Sequence, residues 1–206
     1  MGSIIGIRSG TEEVPYKVIQ SQGSFEIRQY FDRIVIETLM HSSDKMTESN
    51  GFRTLAAYIF GTNEEHQKIA MTSPVEVRPN EHCSPGQPTP AESLLKGSGM
   101  IMRFTLPHDL QEKDVPKPRS HNVNVAKVGA QQFAAVRFSG MWTEEAFQEH
   151  SKILLAELQK TQYRAIGPVL SLRYDPPWTI SCFRRNEVAV EVMNIGEDSN
   201  RQVSVM

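Results

Sequence analysis

Residues Asn50 to Pro74 read NGFRTLAAYIFGTNEEHQKIAMTSP, and the way this stretch divides into elements decides the architecture of the chain. Phe52, Leu55 and Ile59 fall at i, i+3 and i+7, and Ala56 and Phe60 add i+4 and i+8. A helix is therefore predicted, with Asn50 as its N-cap and Gly61 as a left-handed C-cap. Between Leu55 and Phe60 there is no charged residue. A helix lying on a sheet normally shows one apolar stripe about 100° wide and a polar back. Leu55 and Ile59 can supply the stripe, which leaves a second row, Phe52, Ala56 and Phe60, with Arg53 and Ala57 alongside, turned partly away from the sheet. Downstream, KIAM and VEV read as a strand interrupted near Pro74.

Working outward, Tyr16 to Met40 is strand-like: YKVIQ, a QGS turn, FEIRQY, a break at Asp32, and RIVIETLM. Phe25 and Ile27 alternate with Glu26 and Arg28, the period-2 pattern of a half-buried strand. Residues 79–99 are rich in Pro, Gly and Ser and predict a long mobile loop carrying His82 and Cys83. MIMRFTLP follows as a strand with Met100, Met102, Phe104 and Leu106 on one face. The second half repeats this order. NVAKVGAQQFAAVRFSG reads as strand, turn and strand; Thr143 caps a helix with Phe147, Leu154 and Leu158 as its apolar row; PVLSLRYDP and EVAVEVM close the unit.

Two such units predict an α+β domain: a duplicated β-α-β arrangement whose antiparallel sheets share a core or close into a distorted barrel, with one helix packed on each half. The expected organisation is an N-terminal segment 1–12, one domain 13–193 with pseudo-repeats 14–107 and 122–193, and a frayed tail 194–206. The second helix is conventionally amphipathic, whereas the first is apolar on most sides, so the pseudo-symmetry is broken at the stretch quoted first.

With 206 residues and a formal charge of −2, the chain reads as soluble and globular. Its basic residues are scattered, Lys117 and Arg119 being separated by Pro118 and the Arg184–Arg185 pair standing alone, so no phosphate-tracking face for nucleic acid is expected. No stretch reaches membrane-spanning length. Cys83 and Cys182 are too few and too far apart for a disulfide framework, which points to free thiols in a reducing, cytoplasmic setting. A plastid location agrees with the same sequence if a transit peptide has been removed from it.

The blocks EVPYKVIQSQGSFEIRQY, GFRTLAAYIFGTN, KIAMTSPVEV, MRFTLP, FAAVRFSG, YDPPWT and FRRNEVAVEV, in this order from Glu13 to Val192, resemble the SOUL haem-binding family, particularly its plant and algal members. The resemblance implies a soluble carrier or buffer that reversibly binds haem b or another porphyrin, on a fold related to bacterial effector-binding domains. It implies that the tetrapyrrole lies on an exposed apolar face of the first helix with basic side chains near its propionates. Phe52 and Ala56 occupy positions where family members place apolar haem contacts. Ala57 and Phe60 extend that face, and Arg53, Lys68, Arg184 and Arg185 are the candidate propionate partners. Where some members carry a histidine proposed as axial ligand this chain has Gln29, and Trp178 and Thr179 stand where certain members have a lysine.

His41 and His66 flank the first helix segment and are the histidines to test as iron ligands, while Met71 reads as core. The leading function is thus a non-enzymatic tetrapyrrole binder. A small-molecule sensor or partner-binding module, using the groove between the halves for an apolar or cationic ligand, is the alternative. An enzyme acting on the ligand would need an acid or base such as Glu187 or Glu191 near Tyr174, and no nucleophile-base motif accompanies them.

Overall fold

The structure, a computed structural model, describes residues 7–8, 11–41, 45–80, 99–176 and 179–196. The core of the predicted loop, with His82 and Cys83, lies outside the described residues, as do Trp178 and the tail from residue 197. In chain order the elements are β1 (Ile7–Arg8), β2 (Thr11–Glu13), β3 (Tyr16–Gln22), β4 (Phe25–Tyr30), β5 (Arg33–Met40), α1 (Lys45–Ile59), β6 (Thr72–Ser73), β7 (Val75–Pro79), β8 (Met100–Thr105), β9 (Asn124–Val128), β10 (Gln131–Phe138), α2 (Glu144–Leu158), β11 (Tyr163–Arg173) and β12 (Asn186–Asn194). Nine strands form one sheet in the order β3-β4-β10-β12-β11-β7-β8-β5-β9, every neighbouring pair antiparallel. A small sheet of β1, β2 and β6 lies beside it.

The large sheet is open, with β3 and β9 at its edges, where the sequence suggested closure into a distorted barrel. Two strands also pair differently from the sequence expectation. β9 and β10, separated only by Gly129 and Ala130, do not form a hairpin: β9 pairs with β5 and β10 pairs with β4. Likewise β4 runs through Phe31 and Asp32 into β5, yet the two lie far apart in the strand order. Each two-residue corner therefore carries the chain from one half of the sheet to the other, and the sheet must curl to allow it.

Side-chain alternation separates two faces. Val188, Val190, Ala134, Val136, Phe25 and Ile27 pack with Phe147, Leu154 and Leu158 of α2. Ile36, Met102, Phe104 and Val77 pack with Leu55, Tyr58 and Ile59 of α1, and Met71 joins this core as expected. At the central β11–β7 pair, Ser171 stands opposite Val77 and Leu172 opposite Glu76, so both helices cover the same face. The opposite face carries Arg28, Tyr30, Arg33, Glu37, Glu76, Arg103, Phe133, Leu170, Leu172 and Glu187. Arg28, Glu76, Arg103 and Glu187 are buried there although no helix covers them, because the curled sheet and the β2 segment enclose this face themselves.

Helix α1 begins at Lys45, five residues before the predicted N-cap, so Asn50 is an interior helical residue. The Asn50-Gly51 pair, ordinarily a turn signal, is helical because Gly51 sits where α1 crosses β5. A Cβ at that position would come within 2.8 Å of Met40 Sδ. The C-terminal prediction holds: Gly61 has φ +104°, and Thr62 N donates to Ala57 O at 2.9 Å. Lys68 to Met71, expected as strand, is irregular, and β6 and β7 flank Pro74, whose bond to Ser73 is cis. In α2, Thr143 is the N-cap as predicted, its Oγ1 accepting from Ala146 N at 3.1 Å.

Candidate functional site: the outer face of the first helix

At about 100° per residue, Gly51, Leu55, Tyr58 and Ile59 form the inward stripe of α1, and all four are buried. Met46, Arg53, Ala57 and Phe60 project within roughly 60° of one another on the outward side. Phe60 is 63% exposed at one end of the helix and Met46 73% exposed at the other, about 20 Å away. The predicted second row is split by this geometry. Phe52 lies on the flank, 38% exposed, with its ring 5.3 Å from that of Phe104. Ala56 is only 8% exposed, so it belongs to the packed flank rather than the open surface. Ala57, at the centre of the outward side, is exposed.

The C-terminal end of α1 is held by a polar frame. Asn63 is fully buried; its Nδ2 donates to Tyr58 O and Gln67 O, and its Oδ1 accepts from Gln67 N at 2.9 Å. Tyr58 Oη donates to Pro116 O at 2.6 Å, tying α1 to the connection between the halves. Burial, and then the nearby Glu65 charge, pushes the Tyr58 hydroxyl up to about 12. Glu64 N donates to Lys117 O, and Lys117 N donates to Glu65 Oε2, so residues 115–119 are laid across the helix end.

This frame gathers cations beside Phe60. Lys68 is exposed, with its Cγ 3.8 Å from where a Gly61 Cβ would stand. Arg119 is exposed and donates from Nη2 to His66 Nε2 at 2.7 Å. His66 has φ +53°, a left-handed conformation in a non-glycine residue that the Asn63 frame imposes. Its Nε2 is already engaged by Arg119. His41, the other histidine singled out, is exposed at the end of β5. Among the described residues, no group of three or more His, Cys, Asp or Glu side chains could hold a metal ion.

The other predicted residues are spread more widely. Arg53 is exposed on the outward side of α1, where its guanidinium donates to Ser49 O and Asn50 Oδ1. Arg184 ends the 3₁₀ turn Ser181–Phe183 and donates from Nε to Thr179 O at 2.8 Å. Arg185 is not a surface cation. Its Nε donates to Glu187 Oε1 at 2.9 Å and its Nη1 to Glu13 Oε2 at 2.9 Å, and the guanidinium lies 3.8 Å from the Tyr174 ring centroid. Its guanidinium is engaged within the sheet face opposite the helices, away from α1. Gln29, at the position of the expected axial ligand, donates to Tyr30 O and Gln131 O and accepts from Gln132 Nε2. Its amide serves the β4–β10 ladder, whereas α1 packs chiefly on β5 and β8.

Sequence reasoning missed Arg119. Nothing local signals it, because Lys117-Pro118-Arg119 looks like isolated charge until the connection is folded back over the Asn63 turn. Also unforeseen was the polar interior of the second sheet face. Glu187 receives Arg28 Nη1 at 2.5 Å, Arg28 Nη2 at 3.0 Å and Tyr174 Oη at 2.9 Å, in addition to Arg185. Burial opposes its charge, but Arg28 and then Arg185 outweigh that and hold the carboxyl below the usual carboxylate range. Arg103 bridges Glu37 and Glu76 nearby.

On this arrangement an open apolar surface with cations at one end can take a flat apolar ligand bearing carboxylates. The SOUL heme-binding protein family model matches residues 11–191. Heme-binding protein 2 from Homo sapiens is 29% identical over 139 residues, 67% of this chain and 63% of that protein. Its Mus musculus counterpart is 28% identical over 129 residues, 58% of each. The matched regions thus span less than two thirds of these relatives' length. Among solved structures, the EcmrR C-terminal domain superposes with a TM-score of 0.58 at 11% identity, covering 87% of this chain and 98% of that one, which supports a shared effector-binding-like fold.

Proposed function

The chain belongs to the SOUL heme-binding protein family, and from that membership we propose that it binds a tetrapyrrole on the outward side of α1 as a reversible carrier or buffer. The observation that carries the reading is the exposed apolar surface of Ala57 and Phe60, flanked by Phe52, at the end of α1 that also carries Lys68 and Arg119. Phe60 and Ala57 supply flat apolar contact, Phe52 contributes the edge it does not give to Phe104, and burial of ring surface stabilises the complex at about 25 cal/mol per Å². Lys68 and Arg119 are the propionate partners at one end of the helix, and Arg53 is available on the outward side. A bound iron porphyrin would supply ligand exchange and redox chemistry at the metal; the protein's part is to hold the ring against one helix and to pair its carboxylates.

The residues present favour docking without an axial ligand. His66 Nε2 is engaged by Arg119, and Gln29 serves the sheet on β4. One-sided contact of this kind suits loading and release. Absorbance titrations of the full chain with haemin and with iron-free protoporphyrin test the reading. Similar affinities are expected; binding of haemin alone would demand an iron ligand, and binding of neither would reject a tetrapyrrole function.

A further inference from the structure

At the Phe31–Asp32 corner, where β2 and the end of β8 meet the start of β5, there is a cavity of about 210 Å³ lined by Val14, Phe31, Arg33, Ile34, Leu106 and Leu110, among others. A smaller inner pocket of about 20 Å³, lined by Tyr30, Glu76, Phe133, Leu170 and Leu172, shares Val14, Arg33 and Thr105 with it. The two are an outer chamber and its inner end, with Arg33 at the junction. The chamber is below the 300–1,000 Å³ of clefts that enclose drug-sized ligands, so it suits a fragment-sized molecule and not a porphyrin. We propose that this cavity is a second ligand site, separate from the α1 surface, that takes a small apolar carboxylate with its anionic group against Arg33 and the Tyr30 hydroxyl.

Two independent observations point to an anion. First, Arg33 donates to Gln131 Oε1 at 2.7 Å and to Phe31 O, and no carboxylate of the described residues lies within ion-pair distance of it. Burial accordingly pulls its pKa down, against the partial opposition of Glu76. Arg33 is half-buried, and an incoming carboxylate gives its guanidinium the charged partner it lacks. Second, Tyr30 is buried and lines the inner pocket, and its Oη makes no hydrogen bond of good geometry despite the nearby Arg28 guanidinium. An orphaned buried hydroxyl of this kind calls for a partner.

The acidic groups around the chamber do not compete for the site. Glu76 is bound by Arg103 at 3.0 Å and lies 3.8 Å from Arg78. Glu12 accepts from His108 N and pairs with its Nδ1 at 2.8 Å. Glu112 pairs with Lys127 at 3.6 Å, and Asp32 is exposed to solvent at the rim. Val14, Phe31, Ile34, Leu106 and Leu110 provide the apolar walls that select a hydrophobic body behind the carboxylate.

The test is an amide and side-chain NMR titration of the full chain with benzoate, using benzylamine and benzyl alcohol as charge controls. Saturable shifts at Tyr30, Arg33 and Leu110 with benzoate, at least tenfold weaker binding of both controls, and loss of binding in Arg33→Gln with recovery in Arg33→Lys are the expected results. Tyr30→Phe should weaken benzoate several-fold. Leu110→Trp fills the chamber from a loop while leaving Arg33 in place, and it should abolish binding. Absence of saturable shifts, stronger binding of benzylamine, or unchanged benzoate binding in folded Leu110→Trp overturns the proposal. So does displacement of benzoate by haemin, because that would make the two sites one.

Discussion

Replacing Phe60 by alanine separates docking on α1 from packing of α1. The Phe60 ring is 63% exposed and belongs to none of the three apolar cores. Full burial of a phenylalanine stabilises by about 1.5 to 3 kcal/mol, so covering the exposed part of Phe60 with a porphyrin is worth at most about 1 to 2 kcal/mol. Phe60→Ala should therefore weaken tetrapyrrole binding about 5- to 30-fold. As a surface change it should stay within about 0.5 kcal/mol of wild-type stability, moving Tm by about 1 to 2 °C. Phe52→Ala is the informative contrast, because the loss of its contact with Phe104 at 5.3 Å should lower stability as well as affinity. Parallel Soret titrations and thermal melts of both variants decide the matter. Wild-type affinity in a folded Phe60→Ala variant would refute docking on this side of the helix.

Lys68→Gln and Arg119→Gln should each weaken haemin binding by about 1 kcal/mol, a figure reduced for solvent exposure. Neither should affect the dimethyl ester of protoporphyrin, and equal losses for acid and ester would remove these residues from carboxylate pairing. Glu187→Gln leaves Arg28 and Arg185 without their shared counterion and should cost about 3 to 5 kcal/mol in urea unfolding. Because the Glu187 carboxyl is depressed by Arg28 and Arg185 against the opposing effect of burial, its contribution is complete above the ordinary carboxylate range, near 4.3. It is lost as pH falls through the native value, so the variant should show a shallower acid limb in stability measured from pH 7 downward. Tyr58 behaves oppositely, since burial and Glu65 raise its hydroxyl to about 12. Its contribution is intact below about 10 and lost as pH rises from there, and ultraviolet tyrosinate titration alongside unfolding should find this step absent in Tyr58→Phe.

Much of the fold is legible from side-chain periodicity. FEIRQY, RIVIETLM and QQFAAVRF are strands because alternation survives in them, and Thr143 announces α2 through its hydroxyl cap. Strand pairing is different, since it depends on contacts across the chain. Gly129 and Ala130 look like a hairpin turn, yet they form a corner whose strands pair with β4 and β5 of the other half. The start of α1 was hidden for a related reason: Asn50-Gly51 carries a turn signature that the close approach of Met40 overrides. At the site, the spare apolar row was readable, but its division into an exposed Phe60 and a packed Ala56 required the position of β8. Arg185 looked like a free cation because its counterions, Glu13 and Glu187, come from distant sequence or from the other side of the same strand start.

The burial of those charges bears on the alternative reading of the groove as a receptor for cations. Such a ligand needs an acceptor whose charge is not already neutralised, and in this chain the central carboxylate has none to spare. Glu187 receives two arginines and a tyrosine, and Glu37 and Glu76 share Arg103. A cation entering there would have to displace a guanidinium already desolvated against its partner, and each such exchange leaves a buried charge uncompensated. Arg33, half-buried at the edge of this face, has no carboxylate partner among the described residues, so the groove's residual preference is for negative charge.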